Sequence, residues 1–259
     1  MNFVFDLDGT ICFQGKPVSE KILECLDDLK KNGHEFIFAS ARPIRDMMPV
    51  LPKRFHTATL IGGNGSLISK EGKLIYSQAF TDEQIQIILD LIEEHQAAYL
   101  IDSEWDYAYT GPSDHPILQN LDVDHLAKSL PVESLSSIVK VLILTADDIE
   151  GLTKKLRSLD IVIHRHHHEN TIDLSPKNID KWSALKLLGF DKKTYVAFGN
   201  DSNDLTMFKN ASYSVMIGHH EELAAFAKEQ IPFDENCERN IIARIKEIAN
   251  IRDTSIFSP

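Results

Sequence analysis

From its first residues the chain alternates short apolar runs with longer amphipathic stretches. NFVFD, at residues 2–6, holds the β-branched and aromatic side chains that favour a buried strand. SEKILECLDDLKKNG follows, with Ile22, Leu23, Leu26 and Leu29 at helical spacing, Ser19 placed to cap its start and Gly33 to stop it. HEFIFAS predicts a second strand, RPIRDMMPVLPKR a proline-interrupted connection, and HTATLIGGNG a third strand running into glycines. The rhythm returns late in the chain. DKWSALKLLGF predicts a helix, TYVAFGND a strand, NDLTMFKNA a helix, YSVMIG a strand and EELAAFAKEQ a helix. Strands separated by helical stretches imply parallel βαβ units.

Residues 81–176 have a different texture. FTDEQIQIILDLIEEH predicts an amphipathic helix with Asp82 and Glu83 in its first turn, where they favour the helix dipole. QAAYLIDSEWDYAYTG alternates apolar and polar residues, as a half-solvated antiparallel hairpin does. IVKVLILTA, DDIEGLTKKLRSL, DIVIHRH and ENTIDLSP then predict strand, helix, strand and strand. The expected architecture is α/β, a parallel-sheet core from residues 1–80 and 177–259 with an α+β cap domain, residues 81–176, inserted between its halves. The closing DTSIFSP is expected to be a loose tail.

Composition narrows the functions. A length of 259 residues suits one large domain or two ordinary ones. A formal net charge of −12 argues against a nucleic-acid partner, but a locally positive pocket can still receive a small anion. No apolar run reaches the roughly 18 residues of a membrane span, and no basic-then-apolar signal opens the chain, so a cytoplasmic protein without a membrane partner is expected. Cys12, Cys25 and Cys237 are odd in number and scattered, which predicts reduced thiols. Nothing in the pattern specifies an oligomeric state.

The candidate chemistry lies where apolar runs end. FVF ends in Asp6, FIFA in Ser40, TLI in Gly62-Gly63-Asn64 and YVAF in Gly199-Asn200. In an open parallel sheet ligands bind at the carboxyl ends of the strands, so neighbouring strands would gather these residues in one crevice. Asp6 and Asp8 stand one residue apart at such an end, where ionised carboxylates must be paired or bind a cation.

These motifs together resemble the haloacid dehalogenase-like (HAD) phosphatases. DLDGT is similar to the family's nucleophile motif DxDGT, and Ser40 with Arg42-Pro43 to its second motif as the Cof-like branch carries it. IGGNGSLI resembles that branch's Asn-Gly loop, Lys181 in SPKNIDKWSAL the third-motif lysine, and GNDSND, residues 199–204, the acidic GDxxND motif. The resemblance implies a Rossmann-like HAD core with its large α/β cap between the second and third motifs. It also implies a Mg²⁺-dependent phosphatase of small phosphorylated metabolites, sugar phosphates foremost.

Under that resemblance Asp6 attacks phosphorus, and Asp8 serves as general acid and then general base. Ser40, Ala41, Lys181 and Asn203 hold phosphoryl oxygens. Mg²⁺ is held by Asp6, the Asp8 backbone carbonyl and a group of GNDSND. The chemistry fits the residue types. A carboxylate nucleophile splits one hard step into two, an adjacent acid handles the protons, and a hard cation takes oxygen ligands. Asn200 stands where the family has Asp, so Asn200, Asp201 or Asp204 completes the metal set. Ala41 replaces the glycine of TGR, and IGHH and ENCERNII depart from the branch's loops. A phosphomutase of the phosphomannomutase kind is the rival enzyme, and a non-catalytic phosphometabolite sensor the rival of another class. HRHHH, residues 164–168, would place His164, His166 and His168 on one face of a strand, as a polar cap rim, a substrate contact or a metal site. Trp105 and the tyrosines of EWDYAYTG are expected in the cap core, with a sugar-stacking platform as the alternative.

Overall fold

The computed structural model describes residues 1–166 and 171–250. The chain opens on β1 (Asn2–Phe5), whose Phe3, Val4 and Phe5 are fully covered. Helix α1 (Glu20–Lys31) starts where Ser19 accepts from the Ile22 amide, and it buries Ile22, Leu23, Cys25, Leu26 and Leu29, the expected apolar face. Next come β2 (Glu35–Ala39), the single turn α2 (Ile44–Met47) after Pro43, and β3 (Thr59–Gly62). The hairpin of β4 (Leu67–Lys70) and β5 (Lys73–Ser77) was not legible as a period, since it turns on the polar Glu71-Gly72 between two short runs.

In the middle of the chain α3 (Asp82–Glu94) begins with a reciprocal cap between Thr81 and Gln84. It leads to β6 (Ala98–Asp102), β7 (Tyr107–Tyr109), β8 (Lys140–Thr145), α4 (Ile149–Leu156), β9 (Val162–His166) and β10 (Thr171–Ser175). These strands form a five-stranded antiparallel sheet in the order β7-β6-β8-β10-β9. Its core, including Ile101, Val141, Ile143, Ile172 and Leu174, is packed by α3 and α4. Of the histidine cluster, His167 and His168 lie outside the described residues, as does DTSIFSP.

The last third supplies α5 (Lys181–Leu187), β11 (Tyr195–Gly199), α6 (Leu205–Asn210), β12 (Tyr213–Ile217), α7 (Glu221–Ala224), β13 (Glu229–Ile231) and α8 (Cys237–Asn250). The expected helix over EELAAFAKEQ stops at Ala224. Glu229–Ile231 instead pairs with β12 as an edge strand, so sheet pairing overrides a weak helical preference. The larger sheet runs β13-β12-β11-β1-β2-β3-β4-β5. From β13 to β3 every pairing is parallel, and β4 and β5 close one edge antiparallel.

That order puts the ends of β11, β1, β2 and β3 side by side, the arrangement that gathers Asn200, Asp6, Ser40 and Gly62. The two sheets also meet through a buried strut. Arg45, 1 % exposed, pairs with Asp46 at 2.7 Å, reaches Asp102 of β6 at 2.9 Å and donates to the Trp105 carbonyl at 2.8 Å. Trp105 itself is 39 % exposed, so it is not part of the cap core. Cys12, Cys25 and Cys237 are buried free thiols, and no described helix is long and apolar enough to cross a membrane.

Candidate active site

Asp6 follows the last residue of β1, and its amide donates to the Phe198 carbonyl of β11, which continues the ladder one residue past the strand. The side chain is buried, and both of its oxygens are engaged. Thr10 donates to Oδ2 at 2.8 Å, and the Lys181 ammonium donates to Oδ1 at 2.6 Å. Lys181 is the first residue of α5, positioned by a reciprocal cap in which Asp180 accepts from the Ser183 amide and Ser183 accepts from the Asp180 amide. It is fully buried and also donates to Asp204 Oδ1 at 2.6 Å. One cation thus serves two buried carboxylates and leaves a net negative charge.

Burial, together with that imbalance, sets the protonation. Burial pushes the Asp6 carboxyl up to about 7; Lys181 opposes the rise, and the charges of Asp204 and Asp8 add to it. For Lys181 burial works against the charge, but Asp204 and Asp6 outweigh it and hold the ammonium protonated well above the ordinary range.

Asp204 Oδ2 accepts from the amides of Asn200, at 2.8 Å, and Asp201, at 3.2 Å. Gly199 is required here, because a Cβ on it would sit 2.5 Å from Asp204 Oδ2. With both oxygens engaged, Asp204 holds Lys181 and shapes the loop, and Asn200 is the residue of this loop that lies beside the Asp8 carbonyl. Asp201 caps the short turn that follows, accepting from the Ser202 amide at 2.6 Å.

Asn200 marks an oxygen-rich corner. One terminal atom of its amide lies 2.9 Å from the Asp8 carbonyl oxygen and 3.1 Å from both Thr10 Oγ1 and Asp6 Oδ2. Nitrogen in that position donates into the cluster, and a half-turn of the amide presents oxygen instead. Asp6 Oδ2, the Asp8 carbonyl and the Asn200 amide oxygen then form an all-oxygen set of the kind that Mg²⁺ prefers, so the residues fit that ion. Among the described residues no group of three or more His, Cys, Asp and Glu side chains is arranged for a metal. The candidate set is therefore mixed: one carboxylate, one carbonyl and one amide.

Gly9 makes this corner possible. Its φ is +77°, and a Cβ there would collide with the Asn200 amide. Gly9→Ala is expected to lower stability by about 1–2 kcal/mol in denaturant titration, through strain and that displacement.

The other expected residues fall nearby. Ser40, 1 % exposed, directly follows β2 and accepts from the Arg42 amide at 3.1 Å, so its own proton remains available to a ligand. Its carbonyl accepts from the Asn64 amide at 3.0 Å, and the Asn64 side-chain oxygen accepts from Asn203 Nδ2 at 3.2 Å. Ala41 offers its carbonyl to Lys140 Nζ of β8 at 2.8 Å. Asp8 is held by a fork from Arg42, Nε to Oδ2 and Nη2 to Oδ1, both 2.7 Å.

Sequence reasoning set Arg42 and Asn64 in motifs near the crevice without naming their partners, and it did not single out Lys140 or Asp173. Lys140 pairs with Asp173 at 3.0 Å, and Asp173 accepts from Asn64 at 3.2 Å, which links the second sheet to the loops of the first. A lysine inside the apolar run VKVLIL was the available signal, since a buried ammonium requires a partner.

Comparison with known proteins agrees with this geometry. A family model described as haloacid dehalogenase-like hydrolase matches residues 3–238. A provisionally named phosphatase of Mycoplasma genitalium is 26 % identical over 254 residues, covering 86 % of this chain and 89 % of that protein. The HMP-PP phosphatase of Escherichia fergusonii is 24 % identical over 233 residues, covering 83 % of each chain. Among solved structures the HAD subclass IIB sugar phosphatase BT4131 shares the fold, with a TM-score of 0.76, 18 % identity and coverage of 95 % of this chain and 98 % of its own.

Proposed function

The chain belongs to the haloacid dehalogenase-like hydrolases and is a phosphatase of that family, and from that premise we propose that it hydrolyses small phosphorylated metabolites, sugar phosphates foremost, with Mg²⁺ and with the phosphoryl group carried on Asp6. The observation that carries the reading is the fully buried Lys181 held between Asp6 and Asp204, beside the oxygen corner of Asp8 and Asn200. Such an arrangement keeps a carboxylate at a strand end beside a fixed positive charge, which a solvated strand end does not need.

Asp6 forms a bond to phosphorus as the ester P–O bond breaks, and Asp8 gives its proton to the departing oxygen. Asp8, now ionised, takes a proton from water as that water attacks phosphorus; the bond to Asp6 breaks, and inorganic phosphate leaves. With both oxygens accepting from Arg42, Asp8 is placed as the second half requires. For the first half Asp8 carries its proton on one oxygen while the other stays on Arg42. Ser40, Lys181 and Asn203 supply donors for the phosphoryl oxygens. Mg²⁺, held by Asp6, the Asp8 carbonyl and Asn200, would supply the positive charge that lets a phosphate dianion approach carboxylates. The likeness to a sugar phosphatase supports the substrate class.

Purified protein with millimolar Mg²⁺ is expected to release phosphate from p-nitrophenyl phosphate. Chelation by EDTA should cut the rate at least about a hundredfold, and excess Mg²⁺ should restore it. Turnover indifferent to the chelator would overturn the metal-assisted reading. An absence of phosphate release across a library of phosphorylated metabolites would overturn hydrolysis itself.

A further inference from the structure

From Asp8 and Arg42 a cavity of about 290 Å³ runs toward the second sheet, on the side where a leaving group would lie. One wall is aliphatic, made by Leu100, Ile117, Leu121 and Leu142. The remainder combines Ala41, Pro43, Asn120 and Thr171 with charged side chains whose cations are already matched. Among the described lining residues the cations are Arg42 and Lys140, and the acids are Asp8, Asp46, Asp102 and Asp173. Arg42 is forked onto Asp8, Lys140 is on Asp173, and Asp46 and Asp102 share the buried Arg45 behind the wall. Acids therefore outnumber cations, and no lining cation is left without a carboxylate. A phosphate or carboxylate carried into this space would meet an apolar wall and surplus negative charge. One uncharged group does point to a ligand: Thr171 Oγ1, on a side chain 2 % exposed, lines the cavity and has no partner among the described residues.

We propose, resting on the phosphatase reading above, that this cavity selects phosphate monoesters whose leaving group is uncharged or cationic, with one apolar face against Leu100, Leu121 and Leu142. Thr171 donates to or accepts from that group. A second anion on the substrate is rejected. Bisphosphates, phosphorylated sugar acids and esters with a phosphorylated leaving group are consequently poor substrates. The electrostatics also work against a phosphomutase, which must seat a bisphosphate.

The test compares benzyl phosphate with 4-carboxybenzyl phosphate, whose leaving alcohols are similarly reactive, at pH 8 where histidines of ordinary pKa are neutral. Binding of the two corresponding phosphonates, which cannot be hydrolysed, is measured in parallel by calorimetry. The benzyl ester is expected to show at least tenfold higher kcat/KM, and benzylphosphonate at least tenfold tighter binding. Asp173→Asn, which keeps the shape but frees the charge of Lys140, should shrink both ratios about tenfold. Equal or better handling of the carboxylated pair by the wild-type protein would overturn the proposal, as would failure of both phosphonates to bind. Discrimination between phosphonates with no hydrolysis of either ester would support the cavity assignment and overturn the phosphatase reading.

Discussion

Asp6→Asn is expected to lose about 10⁴-fold or more in kcat toward p-nitrophenyl phosphate and, free of metal, to become more stable than the wild-type protein above about pH 7. The first effect follows from removing the nucleophile. The second follows from burial and the charge imbalance at the site. Burial raises the Asp6 carboxyl from 3.8 to about 7, because Lys181, shared with Asp204, offsets only part of the desolvation. A carboxyl raised on folding makes the native state bind more protons than the unfolded chain. Stability contributed by this group is therefore full near pH 4, falls as pH rises toward 7, and is flat beyond. Asn removes that loss. Its oxygen can accept from Lys181 while its NH₂ donates into the corner occupied by Asp6 Oδ2, beside the Asp8 carbonyl. The difference in unfolding free energy should open between about pH 4 and pH 7 and reach on the order of 4 kcal/mol in EDTA. Wild-type turnover by the variant would refute the nucleophile, and a difference independent of pH would refute the electrostatic account.

Much of this site could be read before the fold was known, because strand ends in a parallel sheet impose a local signature. Asp6, Ser40 and Asn200 each close an apolar run, and the order β11-β1-β2-β3 brings those ends together. Ser19 was legible for the same reason, since a cap acts within three residues of itself. What escaped depends on partners distant in the chain. That Asp204 holds Lys181 and two backbone amides shows only once the fold brings position 181 to it. Lys140 and Asp173 are 33 residues apart in the chain, and only the antiparallel pairing of β8 with β10 makes them neighbours. The edge strand Glu229–Ile231 has no period of its own; its identity comes from Val215 and Ile217 across the ladder.

Lys181→Met tests the other half of the site, and its main effect should be on stability. The ammonium is fully buried and makes 2.6 Å contacts to both Asp6 and Asp204. Methionine fills most of the volume but leaves two carboxylates facing each other without a cation. Removing one partner of a buried ion pair typically costs about 3–5 kcal/mol, because the remaining charge stays desolvated. The variant should therefore unfold at markedly lower denaturant, and phosphate release should fall about a hundredfold or more with the lost phosphoryl donor. A merely structural lysine predicts the first effect without the second, so the two must be separated. Adding Asp204→Asn removes one of the stranded charges and keeps a side chain able to accept from the Asn200 amide. The double variant should recover about half or more of the lost stability, which a double-mutant cycle reads as coupling between positions 181 and 204. Activity should stay low, since neither substitution returns a cation to the phosphoryl oxygens. If the double variant recovers turnover along with stability, Lys181 serves the fold alone, and the phosphoryl contact assigned to it is wrong.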